Sequence, residues 1–282
     1  MKQVGLVLQG GGTRGIYTSG VLDFFIEQDV FPSYVIAVSA GACNAMAYLG
    51  RDKGLGKYMY TEHLHDLRYL SWRNLLRHGS LLGMDFIFDE IPRRIRPFPF
   101  DVFDQAKEKL VVGATNCETG ESVYFSKGEC EPFVTAIRAS CSIPLLSGVV
   151  YYQGLKLLDG GIVDPIPVNK SLADGNEWNI IVRTGNDEMV PQPVNLSWLL
   201  QRIWPRYQAL IRAMFEHHAR YNQSLRQIRA LQRENRAFVL SPSKPVRMRR
   251  MERNPIKLLE LYQLGYDDAR RAYRSLQTWL ES

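Results

Sequence analysis

Gly10-Gly11-Gly12-Thr13-Arg14-Gly15 stands between the apolar run Val4–Leu8 and a stretch, Ile16–Glu27, whose apolar residues fall at helical spacing. A glycine loop between strand and helix turns backbone N–H groups toward one anionic point near the positive end of the helix dipole. Two chemistries use that geometry. Gly10, Gly12 and Gly15 satisfy the G-x-G-x-x-G spacing of dinucleotide binding. The same amides would also serve as an oxyanion hole, stabilising the charge that develops on a carbonyl oxygen under attack.

The next apolar run separates these readings. Dinucleotide folds place an acidic residue about 20 positions on, against the ribose hydroxyl, and Tyr34-Val35-Ile36-Ala37-Val38 offers none. It runs instead into Ser39, with Ala37 two before, Gly41 two after and helix-forming residues 42–49 beyond. That is the layout of a nucleophile elbow, a sharp strand-to-helix turn that lifts a serine hydroxyl off the sheet edge and needs small neighbours. Alone, the motif describes a helix cap equally well; its place one unit after a glycine loop gives it weight.

A serine hydroxyl needs a base. The imidazoles on offer are His63, His65, His78, His217 and His218, none in a glycine-rich loop or at a recognisable strand end. A Ser-His-Asp triad stays open, but His63 and His65 fall in a region suited to a cap, and His217 and His218 on a basic helix where solvated rings are expected. Asp159 is better placed: a mostly apolar run, residues 155–158, delivers it to Asp159-Gly160-Gly161, where two residues of minimal bulk allow close approach to Ser39. A carboxylate can take the serine proton directly if partial desolvation raises its proton affinity in the transition state. The bland reading of Asp-Gly-Gly is a simple turn. Ser140 reads as a cap or turn former and Asp164, before Pro165, as a turn residue. Arg14 reads as bonding carbonyls of its own loop, with a substrate phosphate as the other role.

The three motifs in this order resemble the patatin-like phospholipase family, whose pattern is a Gly-Gly-Gly-x-Arg/Lys-Gly loop, a Gly-x-Ser-x-Gly elbow and an Asp-Gly-Gly/Ala turn. Gly113-Ala114-Thr115-Asn116, Glu118-Thr119-Gly120 and Arg138-Ala139-Ser140-Cys141-Ser142-Ile143-Pro144 also look like the family. The resemblance spans about residues 3–185; beyond it, Arg220-Tyr221-Asn222 and Leu264-Gly265-Tyr266-Asp267 look like a bacterial subgroup. It implies a three-layer α/β sandwich and a Ser39–Asp159 dyad without histidine. It also implies an oxyanion hole from Gly10, Gly11 and Gly12 with Thr13, Arg14 and Gly15 supporting the loop, and hydrolysis of phospholipid or lysophospholipid acyl esters without metal or cofactor. Ala37 departs from the family at the first glycine of the elbow, where a methyl group is small enough to keep the turn in many geometries, with a tilted Ser39 or a narrowed pocket as the other outcome. Hydrolysis of small soluble esters, or lipid binding without catalysis, are the alternatives.

These residues need elements to hold them. Further strand candidates are residues 110–114, 122–125, 179–183 and 237–240, with helical patterns between several of them, an alternation that argues for an α/β sheet flanked by helices, which the family resemblance implies is mainly parallel. Residues 51–100, rich in aromatic and basic side chains and ending in a proline cluster, are expected as a helical cap within a catalytic domain of residues 1–190. Residues 191–282 are expected as a basic, mostly helical region packed on or appended to it, with long helices over 207–236 and from about Ile256.

The chain of 282 residues is 45% hydrophobic and 23% charged, enough for one large core. Residues 201–282 carry 17 Lys or Arg against 7 Asp or Glu, a net of +10, while residues 1–200 carry 18 against 22, a net of −4. That cationic third, with Trp198, Trp204, Tyr207 and Phe215 among Arg202, Arg206 and Arg212, is suited to peripheral contact with an anionic membrane surface or to packing on the body. No nucleic-acid partner is expected. Cys43, Cys117, Cys130 and Cys141 have neither CxxC nor metal spacing and are expected as buried free thiols in a reducing compartment. No stretch reaches the roughly 18 apolar residues of a membrane span, and the expected location is cytoplasmic, with peripheral association at the inner face of the membrane.

Overall fold

In the computed structural model the described residues are 3–186, 201–202, 204–249 and 251–282. They form one mixed sheet of eight strands: β1 (Val4–Leu8), β2 (Tyr34–Val38), β3 (Lys109–Asn116), β4 (Ser122–Ser126), β5 (Val150–Tyr152), β6 (Leu155–Asp159), β7 (Trp178–Val182) and β8 (Ala237–Leu240). The order is β5-β6-β3-β2-β1-β7-β8, with β4 also on β3. Strands β3, β2, β1, β7 and β8 run parallel, while β4 and β6 lie antiparallel to β3, and β5 antiparallel to β6.

The parallel strands are largely apolar, and β1 and β2 are buried throughout, because both faces are covered. Leu6, Leu8, Val35, Ala37, Ile180 and Val182 face the larger core. Their alternates Val7, Tyr34, Ile36 and Ile181 face the smaller one. The first layer contains α1 (Ile16–Glu27), α2 (Ala40–Leu49) and the long last helix, which is α9 (Pro255–Glu281) when α3 (Leu55–Thr61), α4 (Trp72–His78), α5 (Phe100–Gln105), α6 (Phe133–Ser140), α7 (Val168–Ala173) and α8 (Gln208–Arg233) are counted. The other layer is α7 with α8, whose Tyr221, Leu225, Ile228 and Leu231 fill the smaller core.

The basic region is therefore part of the sandwich. It supplies the edge strand β8 and a helix to each face. Trp204 and Tyr207 pack against Cys117, Leu158 and Ile162; Trp198 lies outside the described residues. Contact between α1 and α9 is close because two glycines face the opposing backbone: a Cβ on Gly20 would sit 2.1 Å from the Tyr262 carbonyl oxygen, and one on Gly265 2.1 Å from that of Tyr17. Asp268 then accepts hydrogen bonds from the Tyr17 hydroxyl and the Ser243 amide and hydroxyl. Gly265→Ala is expected to force the helices apart and cost about 2–3 kcal/mol, read as a lower urea midpoint at unchanged slope.

Residues 51–100 fold over the C-terminal end of the parallel strands as α3, α4 and a π-helical segment, Phe86–Ile95, with Pro92 inside it. Buried apolar residues Leu82, Met84, Phe88 and Phe98 tie them to the larger core. Arg96 grips Asp52 through two bonds of 2.8 and 2.7 Å, and Arg51 reaches Glu108 at 2.6 Å. Among the described residues no helix is long and apolar enough to cross a membrane.

Candidate active site

The sheet brings Ser39 and Asp159 together by running two strands at one another along a single edge of β3. Residues 111–115 of β3 pair with β4, so β2 and β6, which also pair with β3, must share its other edge. Strand β2 ends with Val38 opposite Gly113, and β6 arrives from the other direction to end with Asp159 opposite Ala114. The residues that leave those two strand ends are neighbours. Ser39 Oγ donates to Asp159 Oδ2 at 2.6 Å, and each residue is 7% exposed.

The elbow is strained at its tip, with Ser39 at φ 54° and ψ −132°, outside the regions that L-residues ordinarily adopt. Gly41 permits this, because a Cβ there would lie 2.7 Å from the Leu8 carbonyl oxygen. The Ala37 methyl group points into the larger core and is fully buried. Ser39 thus reaches the carboxylate with alanine in the elbow.

Ser140 ends its helix but its side chain does not cap it, contrary to the reading of a cap or turn former, because the hydroxyl is spent on two distant backbone groups. Its hydroxyl donates to Gly113 O at 2.6 Å and accepts from Ser39 N–H at 2.8 Å, so one side chain ties the elbow to β3. Ser140→Ala leaves a buried amide and carbonyl unpaired, costing about 1–3 kcal/mol. A displacement of Ser39 of the order of 1 Å would lower turnover about a hundredfold; steady-state assays at matched folded fraction read it.

On the carboxylate side, Asp159 Oδ1 accepts from Gly161 N–H at 2.8 Å, and the Asp159 carbonyl accepts from Thr115 Oγ1 at 2.8 Å. Asp164 is turned away: its carboxylate accepts from Tyr124 Oη at 2.6 Å, and burial pushes its pKa up. Among the described residues no histidine hydrogen-bonds Ser39. His63 is buried edge-on between Tyr58 and Phe86, and His65 is exposed. His217 and His218 are half-buried, not solvated as their basic helix suggests, because Nδ1 of each contacts a carbonyl, that of Ile162 at 3.3 Å and of Phe215 at 3.0 Å. The His78 side chain lies outside the described ones.

Cys141 Sγ donates to Ser39 O at 3.0 Å and contacts Cys43 Sγ at 3.2 Å. The hydrogen bond with Cys43 and burial push the Cys141 thiol up, which keeps it a thiol beside the serine. All four cysteines are free, but only Cys117 is fully buried; the other three are half-buried because they border the site or the surface.

The glycine loop arches over the same point. Gly10 N–H is taken by Pro165 O at 3.4 Å, whereas the Gly11 and Gly12 amides meet no acceptor among the described residues. Thr184 Oγ1 donates to Gly10 O at 2.8 Å and sits where a Gly11 Cβ would fall, 2.3 Å away. Arg14, buried, sends Nε toward Gly11 O at 3.5 Å, a loop-shaping contact. Gly15 O accepts from Asn44 Nδ2 at 2.8 Å. Thr13 Oγ1 accepts from Glu252 N–H at 2.9 Å, which anchors the loop to the basic region.

Beyond Ser39 a cavity of about 150 Å³ runs between α2 and residues 55–98. Gly12 and Ser39 stand in its wall; the remainder is mostly apolar, including Met46, Met59, Leu82, Met84, Phe88 and Ile91, with Met251 from the basic region. Such a lining favours a hydrocarbon chain over water. Met251 is not readable in the sequence as part of this lining, since the segment carrying it has neither strand nor helix period.

Residues 6–171 match the family model described as patatin-like phospholipase, and residues 207–281 match one described as a domain of unknown function. The uncharacterized protein YjjU of Escherichia coli is 26% identical over 274 residues, covering 93% of this chain and 75% of its own length. An uncharacterized NTE family protein of Mycobacterium bovis is 29% identical over 209 residues, 70% of this chain and 54% of its own. Lysophospholipase NTE1 of Meyerozyma guilliermondii is 28% identical over 220 residues, 72% of this chain and 14% of its own. This chain therefore spans about half, or less, of the NTE-named relatives. VipD of Legionella pneumophila shares the fold, with a TM-score of 0.52 at 15% identity over 98% of this chain and 67% of that one.

Proposed function

The chain belongs to the patatin-like phospholipase family, and from that premise we propose that it hydrolyses acyl esters of phospholipids or lysophospholipids with Ser39 as nucleophile and Asp159 as base. The observation that carries this reading is the 2.6 Å hydrogen bond from Ser39 Oγ to Asp159 Oδ2, where Ser39 borders an apolar cavity. Asp159 accepts the hydroxyl proton as Oγ attacks the ester carbonyl. The Gly11 and Gly12 amides, with the positive end of α2 behind Ser39, meet the charge that develops on the carbonyl oxygen. Collapse breaks the ester bond, and the departing alcohol takes the proton back from Asp159. A water molecule, losing its proton to the same carboxylate, then attacks the acyl-serine; the acyl–Oγ bond breaks, Asp159 returns the proton to Ser39 Oγ, and the fatty acid is released.

Support for a lipid substrate comes from the cavity, whose methionines and aliphatic side chains suit a flexible acyl chain. The naming of a relative as a lysophospholipase agrees with it. A fluorophosphonate probe should label Ser39 in the intact chain, and lysophosphatidylcholine should be turned over by wild type and not by Ser39→Ala. Folded protein that takes no label ends the nucleophile assignment. Turnover of p-nitrophenyl acetate alone, with lipid esters untouched, would leave a small-ester hydrolase.

A further inference from the structure

The cap carries an apolar surface that no neighbour among the described residues covers. Leu76 is 88% exposed, Trp72 74% and Leu67 62%. Trp72 and Leu76 are four residues apart on α4 and share its outer side. The helix is firmly seated beneath them: Ser71 Oγ accepts from Asn74 N–H at 3.1 Å, and the buried Asn74 side chain donates to the carbonyls of Arg68 and Leu81 at 3.0 and 3.3 Å.

The charges beside this surface do not cancel. Leu67, Arg68, Arg73, Arg77 and Arg138 line a cleft of about 630 Å³ together with Asp85 and Glu90. Its acids are taken, Glu90 by Arg68 and Asp85 by Arg138 at 2.6 Å. Arg73 and Arg77 have no ionic partner among the described residues. Leu82 and Met84 line both this cleft and the cavity at Ser39, so residues 67–84 face outward on one side and toward the nucleophile on the other.

We infer that this cap face docks the protein on an anionic phospholipid bilayer, with Trp72, Leu76 and Leu67 entering the interface and Arg73 and Arg77 meeting lipid phosphates. Exposed aromatic and aliphatic side chains flanked by unpaired cations are what an interfacial element presents. The membrane contact then lies on the cap and not on the basic C-terminal region, whose Trp204 and Tyr207 pack inward. Its purpose, delivery of acyl chains to Ser39, rests on the hydrolase reading above; the binding itself does not.

The test is co-sedimentation of the full chain with phosphatidylcholine vesicles, with and without phosphatidylglycerol. Wild type should favour the anionic vesicles, and Trp72→Ala/Leu76→Ser and Arg73→Gln/Arg77→Gln should each bind them about tenfold more weakly or worse. Both variants should keep wild-type turnover of a water-soluble short-chain ester and a wild-type melting temperature. Wild type that binds neither vesicle, variants that bind as wild type, or loss confined to Arg202→Gln/Arg206→Gln/Arg212→Gln would each overturn it. So would a dimer in gel filtration that Trp72→Ala/Leu76→Ser dissolves, since the face would then be covered by a second copy. Vesicle binding that depends on the cap, in a protein that turns over no ester, supports the docking face and defeats the hydrolase reading alone.

Discussion

Asp159→Asn is expected to lower ester turnover by about a thousandfold or more while the protein stays folded, because a general base of this kind contributes roughly 10²–10⁴. The substitution is isosteric. The amide oxygen can still accept from Gly161 N–H, as Oδ1 now does at 2.8 Å, which turns Nδ2 toward Ser39 Oγ where Oδ2 now accepts at 2.6 Å. An amide N–H donates, so the serine keeps its proton. Fluorophosphonate labelling of Ser39 should slow in parallel, because the same proton must leave. Asp164→Asn is the control: its carboxylate serves Tyr124, and turnover should change only a few-fold. Asp159→Asn that retains turnover within tenfold of wild type would mean that another group takes the proton.

How far this site could be read in the sequence depends on which strand carries each part. The glycine loop and the elbow follow β1 and β2, buried parallel strands whose continuous apolar runs and following helices announce them. Asp159 is legible as a residue before two glycines, but the strand that delivers it is not: Leu-Lys-Leu-Leu-Asp has no clean alternation, and nothing in it tells that it meets β3 from the opposite direction. Ser140 is harder still. Its role rests on partners 27 and 101 residues away in sequence, Gly113 O and Ser39 N–H, and locally it is one more polar residue at a helix end. The last helix shows the same limit, since Gly265 matters only through the carbonyl of Tyr17. The exposed face of α4 is written in Trp72 and Leu76, but their outward direction is set by Asn74, which must point inward to reach two carbonyls.

The two glycines after Asp159 have different work, and this gives the other large effect. A Cβ on Gly160 would fall 2.1 Å from the Gly113 carbonyl oxygen and 2.7 Å from its carbon, against the backbone of β3 where β2 and β6 converge. Backbone cannot swing aside as a flexible side chain does, so Gly160→Ala must lift the end of β6 off β3. The expected cost is about 3 kcal/mol or more. The same displacement opens the Ser39–Asp159 contact, and a shift of about 1 Å there should lower turnover at least a hundredfold per folded molecule. Gly161→Ala meets only Asp159 Oδ1 at 3.0 Å and should be milder on both counts, while Gly148→Ala, with nothing within 4 Å, should be close to neutral. Urea denaturation together with turnover at a temperature where all three variants remain folded separates stability from geometry. If Gly160→Ala lost stability yet kept wild-type turnover per folded molecule, the alignment of the two strand ends on β3 would not be what sets the Ser39–Asp159 distance.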